Sequence, residues 1–538
     1  MRKSIITAFF FVIGIFAASA QNPYMPLWEH IPDGEPYVFE DPDRPGEYRV
    51  YVYGSHDSLV DEYCGREQVV WSAPVDDLCN WRYDGVIFEV KQDRDGKPLN
   101  PGCAGDVLYA PDVAMRVENG VKVYYLFPNV QGERNSLIAR SLRPDGPFEV
   151  FNWDPQNPRK TVGVLGFDPA VFIDDDGRVY GYWGFEESWA AELDPQTMAT
   201  VKPGCEILHN LVTGSKHEGT FHFFEASSMR KIKDKYVLIY SRMSPEEEFG
   251  LDKSNYNLSY AYSDNPLGPF TYGGVVIDAR GRDVDEHGKP VATACPFGNT
   301  HGSIVEINGQ WWVFYHRQTG TDQFSRQAMV APVTIEVEEG PGGKVVISEG
   351  EVTSEGFRTE GLDPLAKSAA GWACYFTNPD GASESFPNFS FTGSYVKASR
   401  EADQSPWFSP YNLKQPLCPV INNTAGSVAG FKYYNFDKTA GKRNLCLKAH
   451  FRPEGVDGKV CVLVGGPSKK RGGTRIAEFK ISAEDPQQIS DYTADVSNLA
   501  GISGKQPLFF VFKSKAKGVS ICEFHDFQFV EKSENPVD

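Results

Sequence analysis

One strand–turn–strand pattern occurs five times in the first two-thirds of this chain, and nothing else in the sequence constrains the fold as much. The copies are Glu35-Pro-Tyr-Val-Phe with Tyr48-Arg-Val-Tyr, Tyr109-Ala-Pro-Asp-Val with Tyr124-Tyr-Leu-Phe, and Asp168-Pro-Ala-Val-Phe with Tyr180-Gly-Tyr-Trp. Glu225-Ala-Ser-Ser-Met with Tyr236-Val-Leu-Ile-Tyr and Thr300-His-Gly-Ser-Ile-Val with Trp311-Trp-Val-Phe-Tyr complete the set. Each joins a short apolar strand to an aromatic-rich one across a polar turn. A unit this small cannot bury its own faces, so the copies must stack on one another. Five of them predict a five-bladed β-propeller, all-β, with each innermost strand opening toward the central axis. Several opening residues are carboxylates.

At 538 residues the chain is too long for one core. Residues 21–345 carry the five units, 346–375 read as a bridging segment, and 376–538 change pattern. Strand candidates at 445–452, 458–465, 475–481, 507–513 and 519–530 predict a jelly-roll-like β-sandwich there. Residues 1–20 read as a signal peptide: Arg2 and Lys3, an apolar run from Ile5 to Ala18, then Ala18-Ser-Ala20. The mature protein is therefore expected to be exported, to the periplasm or the medium. No later apolar stretch is long enough to span a membrane. A net charge of -19 leaves no basic stripe to neutralise phosphates, which argues against a nucleic-acid partner. The ten Cys form no Cys-x-x-Cys cluster, which argues against zinc; an exported protein could pair some of them.

Five motifs fall in one order: Ser55-His56-Asp57 after the first hairpin, Ala110-Pro-Asp112-Val, Asp168-Pro-Ala-Val-Phe-Ile-Asp-Asp-Asp-Gly177, Glu225 opening the fourth unit, and His301-Gly in the fifth. Through them, residues 30–335 resemble glycoside hydrolase family 43, inverting enzymes on a five-bladed propeller. The resemblance implies three axial acids: a general base on blade one, a modulator of the acid's pKa, and a general acid. By position the modulator is Asp168, the acid is Glu225, and the base slot falls on Glu35. The family usually has Asp in that slot, so Glu35 departs from the pattern, with Asp33 and Asp41 as alternative bases. Inversion needs one carboxyl to protonate the leaving oxygen and another, roughly 6.5–9.5 Å away, to activate water. The acid must stay protonated above the usual Glu value of about 4.3, and like-charge repulsion from Asp168 with burial would achieve that.

The resemblance also places His301 on the axis, where related proteins hold a calcium ion or a water cluster; a buried histidine hydrogen-bonded across the channel is the alternative. Asp112 and Arg317 are expected near the sugar, with a rim support and a surface ion pair as their alternatives. Tyr109, Trp183, Phe185 and Phe223 could offer apolar faces to a sugar ring, although propeller aromatics are more often core. His56 and Asp57 could brace the axis. The implied activity is inverting hydrolysis of plant-type polysaccharide or oligosaccharide, first as an α-L-arabinofuranosidase and next as a β-xylosidase or exo-galactanase. A carbohydrate-binding propeller without catalysis is the reading from another class. The C-terminal region resembles carbohydrate-binding module family 6 through its last strands.

Overall fold

In a computed structural model, the structure describes residues 21–59, 63–294, 298–319, 324–378, 393–397, 418–442, 444–499 and 501–532. The segment read as a signal peptide, 1–20, lies outside them, as does Cys295. The other nine Cys are free thiols. Among the described residues there is no α-helix, and no helix is long and apolar enough to cross a membrane.

The five repeats form five antiparallel sheets, each starting at its innermost strand. Blade one is Glu35–Glu40, Tyr48–Tyr53, Gln68–Pro74 and Arg82–Phe88. Blade two starts at Asp112–Glu118, blade three at Ala170–Ile173, blade four at Phe223–Ile232 and blade five at Ser303–Ile307. Tight turns join the inner pairs where the sequence supplies residues tolerant of left-handed backbone. Asn119-Gly120 and Asn308-Gly309 both have positive φ at both positions, the type I′ geometry that matches strand twist.

The second strand of each blade is buried on both faces, because alternate residues serve different neighbours. Val50 and Val52 pack with Phe314 and Val330 of blade five, whereas Tyr51 and Tyr53 pack with Tyr124 and Leu126 of blade two. Tyr125 and Phe127 then meet Val171 and Val179, Tyr180 and Tyr182 meet Leu238 and Tyr240, and Val237 and Ile239 meet Val313 and Tyr315. These five inter-blade cores close the ring. Among the described residues, blade five has three strands, Ser303–Ile307, Gln310–Gln318 and Arg326–Val333. Residues 22–27 cover its outer edge: Asn22 Nδ2 donates to Val330 O at 2.7 Å, and Val330 N donates back to Asn22 Oδ1 at 3.0 Å. An otherwise open strand edge is thereby capped by the beginning of the domain.

The C-terminal unit is a sandwich of two sheets. One runs Tyr395–Val396, Val420–Ile421, Cys522–Glu531, Leu445–Pro453, Ser490–Asp495; the other runs Tyr375–Thr377, Val428–Asn435, Lys505–Lys513, Gly458–Val464, Thr474–Ile481. Phe431, Phe510, Phe524 and Phe527 interlock between them. Within the segment read as a bridge, Ser368–Ala369 already pairs with Phe527 and Asp526 of this sandwich. The sandwich core is continuous with that between blades four and five.

Candidate active site

The loops that lead into the inner strands meet at one end of the ring, around a cavity of about 550 Å³. Asp33, Asp168 and Glu225 line it together with His301, Tyr109 and Arg326. Three positions near the acids carry left-handed backbone without glycine: Asp33 (φ 60°), Asp168 (φ 47°) and Ala226 (φ 65°). Such conformations cost of order 1–3 kcal/mol each and persist only where the surroundings enforce them. In blade four the cause is visible: the strand register slips between Phe223 and Ser228, a bulge that re-aims Glu225 at the cavity.

Asp33 is held as a carboxylate. Arg326 Nη1 donates to its Oδ1 at 3.1 Å, and the Ser55 hydroxyl donates to Oδ2. Arg326 is itself fixed by Asp57, to which Nε and Nη2 donate at 2.9 and 2.8 Å as a fork. Burial works hardest against charge on Asp33, but Arg326, the neighbouring histidines and the Ser55 hydroxyl together outweigh it and keep the carboxyl below the usual Asp range. The Asp33 backbone N–H donates to His316 Nδ1 at 3.2 Å, while His316 Nε2 meets Asn299 O at 2.7 Å, a pattern that suits neutral imidazole.

Glu225 is displaced the other way. Burial, then the negative charge of Asp33, pushes it up to about 8, against a hydrogen bond from the Asn299 side chain. Asp168 is raised too, by burial and then by Glu225. Asn129 Nδ2 donates to Asp168 Oδ1 at 2.6 Å, and His301 Nδ1 stands 3.7 Å from Oδ2. Burial holds His301 down near 4, so it is neutral. A Glu225 pushed up beside an Asp33 held down is a working acid–base arrangement.

Several sequence-derived placements are revised by the packing. Glu35 does not reach the cavity; it lies deeper along the axis, paired with Arg230. Asp112 is also below, accepting from Tyr37 Oη at 2.6 Å and from Val171 N at 2.7 Å. Phe223 is buried in the core between blades three and four, because strand alternation turns its neighbour Phe224 to the cavity instead. Trp183 sits in the core between blades two and three and packs under Gly166, where a Cβ would come within 2.6 Å of its ring. Arg317 points the opposite way from the site: its Nη1 donates to Ala373 O at 2.7 Å, tying blade five to the sandwich. Tyr109 and His301 do line the cavity. His56 pairs with Glu29 at 3.1 Å, away from the acids.

Sequence reasoning missed Arg326, Asn255, Asn299 and Phe224. Phe224 was recoverable from the period-two pattern beside Glu225. Arg326 and the two asparagines belong to outer strands and loops with no local signal. A wider opening of about 1220 Å³ lies on the sandwich, lined by Lys459, Glu478 and Lys513, and contains none of these acids. Among the described residues no three or more His, Cys, Asp or Glu are grouped to hold a metal ion.

The family model for glycosyl hydrolases family 43 matches residues 44–341. A xylosidase/arabinosidase of Thermoclostridium stercorarium is 34% identical over 441 residues, covering 77% of this chain and 82% of the relative. An arabinoxylan arabinofuranohydrolase of Bacillus subtilis, solved with cellotetraose, matches at TM-score 0.43 and 20% identity over 96% of this chain and 98% of its own. A β-xylosidase/α-arabinofuranosidase from a compost metagenome, solved with xylotriose and described as a calcium-free form, matches at TM-score 0.39 and 23% identity, over 60% of this chain and 95% of its own.

Proposed function

The chain belongs to glycosyl hydrolase family 43, and we propose that it removes terminal sugars from plant-type polysaccharide or oligosaccharide with inversion, α-L-arabinofuranose first. β-Xylose and β-galactose are the next candidates. The observation that carries the reading is the convergence of Asp33, Asp168 and Glu225 on one cavity with Asp33 and Glu225 displaced in opposite directions. Glu225 is the general acid that protonates the leaving oxygen. Asp33, rather than Glu35, is the base that takes a proton from the attacking water. Asp168 stands beside Glu225 and Asp33 as the third acid, its carboxyl accepting from Asn129 with His301 3.7 Å away. The non-catalytic reading rested on Glu35 standing in the base slot, and Asp33 in the cavity removes that motive. Proton NMR of fresh products from arabinan, xylan and galactan oligosaccharides tests the mechanism. The first-formed anomer is expected to be inverted, and a retained anomer would overturn it.

The protonation states set the pH profile. Turnover needs Asp33 ionised and Glu225 protonated, so it should hold from below the usual Asp value up to about 8 and fall as pH rises further. Neutralising Asp33 removes a like charge from beside Glu225, so the alkaline limb of any residual activity in Asp33→Asn is expected to move down in pH. Initial rates across pH on an aryl glycoside check both limbs.

Phe185 stands at the cavity mouth, 49% exposed, with its ring edge-on to Phe167 at 5.3 Å and Phe224 at 5.0 Å. The turn behind it is rigid: Gly184 adopts φ 141°, where a Cβ would meet Glu187 O at 1.9 Å. With the acids deeper in, the mouth receives the leaving group, and Phe185 offers that sugar an apolar face. Phe185→Ala is expected to raise KM for oligosaccharide roughly three- to tenfold with little change in kcat, read by steady-state kinetics.

The resemblance of the sandwich to carbohydrate-binding module family 6 supports a packing role here, through the core it shares with blades four and five. Export is the expected localisation, and N-terminal sequencing of protein from the medium or periplasm should begin near Gln21. Asn22 is already buried in the fold at that point.

A further inference from the structure

Below the cavity, the axis carries a cluster that the proposed chemistry does not use. Arg230 of blade four reaches across the channel and donates to Glu35 Oε2 of blade one through Nη2 at 2.8 Å. Its Nε donates to Ile304 O of blade five at 3.0 Å, and its Nη1 to Ser228 Oγ at 3.0 Å and Tyr37 Oη at 3.3 Å. The guanidinium also lies over the Tyr37 ring, 4.6 Å from its centre. Tyr37 in turn donates to Asp112 of blade two, whose other oxygen accepts from Val171 N of blade three. One largely buried cation is thus connected to all five blades.

The resemblance implied a calcium ion on this axis, touched by His301. Calcium takes about six to eight oxygen ligands. Here His301 Nε2 faces a single oxygen of Glu35, Oε1, at 3.9 Å, buried and without a hydrogen-bond partner. The other oxygen of that carboxyl already holds a guanidinium. A dication on Oε1 would sit beside the fixed positive charge of Arg230 in a buried site, with one carboxylate oxygen and one imidazole facing it. The residues present do not fit a resident calcium.

We propose that Arg230 takes the place of an axial metal ion in this propeller, with Glu35 as the carboxyl partner that anchors it across the channel. Arg230 is then a positioning residue: it fixes Glu35, which stands against His301, which stands against Asp168. The inference builds on the family assignment but not on which sugar is cleaved.

The test uses the full-length protein and calcium itself. After exhaustive EDTA treatment, wild type is expected to retain its thermal midpoint and turnover, and calorimetric titration with CaCl2 should show no stoichiometric binding. One equivalent of bound calcium, or a midpoint that falls with EDTA and returns with CaCl2, overturns the proposal. Arg230→Met and Glu35→Gln should each lower the midpoint by roughly 5–10 °C, and the double variant should be no worse than the poorer single one. Fully additive losses overturn the pairing. In Glu35→Gln, kcat should fall with KM nearly unchanged, because Asp168 shifts while the aromatic lining, Tyr109, Phe185 and Phe224, does not; a changed KM with intact kcat contradicts a positioning role. Should Arg230→Met give no soluble protein, chelation of wild type and Glu35→Gln still decide.

Discussion

Asp33→Asn is expected to lower kcat by roughly a hundred- to ten-thousandfold, the usual range for removing a positioned base. The substitution keeps the shape of the side chain, so the Ser55 and Arg326 contacts have a partner and the fold is retained. What is lost is the proton acceptor for the attacking water. Glu35→Gln provides the contrast: Glu35 is outside the cavity, so its loss should cost stability and some kcat but leave far more turnover than Asp33→Asn. Hydrolysis of an aryl glycoside by both variants, with ligand affinity from calorimetry, separates them. Equal or reversed losses would return the base role to Glu35, the residue in the family's slot.

Glu225→Gln is expected to cost a similar hundred- to ten-thousandfold on oligosaccharide, where the leaving oxygen needs a proton. On an aryl glycoside whose leaving group departs as a stable phenolate, the loss should be much smaller, since protonation is hardly required. Substrate affinity should persist in the variant, because Gln keeps the shape of the side chain and the rest of the lining, Arg326 included, is untouched. A loss equal on both substrates would mean that Glu225 shapes the site rather than donating the proton. Alkaline loss of activity near pH 8 should also disappear with the carboxyl that causes it.

The difference between Asp33 and Glu35 shows where reading along the chain stops. Both are acids within one short segment, and Glu35 opens the regular strand, so it occupies the slot that a motif defines. Asp33 sits two residues earlier in irregular backbone at φ 60°, where Asp33-Gly34 marks a turn but nothing along the chain tells which way its side chain points. Arg317 and Arg326 repeat the lesson across a hairpin: both belong to blade five, yet only Arg326 finds Asp57 and Asp33, while Arg317 serves the sandwich. Phe223 and Phe224 repeat it along a strand, where a bulge and a period of two determine which ring faces the sugar.

Strand positions, the count of five units and the acids that open them were set locally, by apolar alternation, turn residues and side chains at the head of each repeat. Those are short-range properties, so the propeller, its ring of cores and the place of Asp168 and Glu225 at the cavity could be read from the chain itself. Which acid faces the cavity, which is locked to Arg230, and how far each proton affinity is displaced depend on burial and on charges from other blades. Glu35 and Arg230 stand 195 positions apart, and only closure of the ring makes them neighbours.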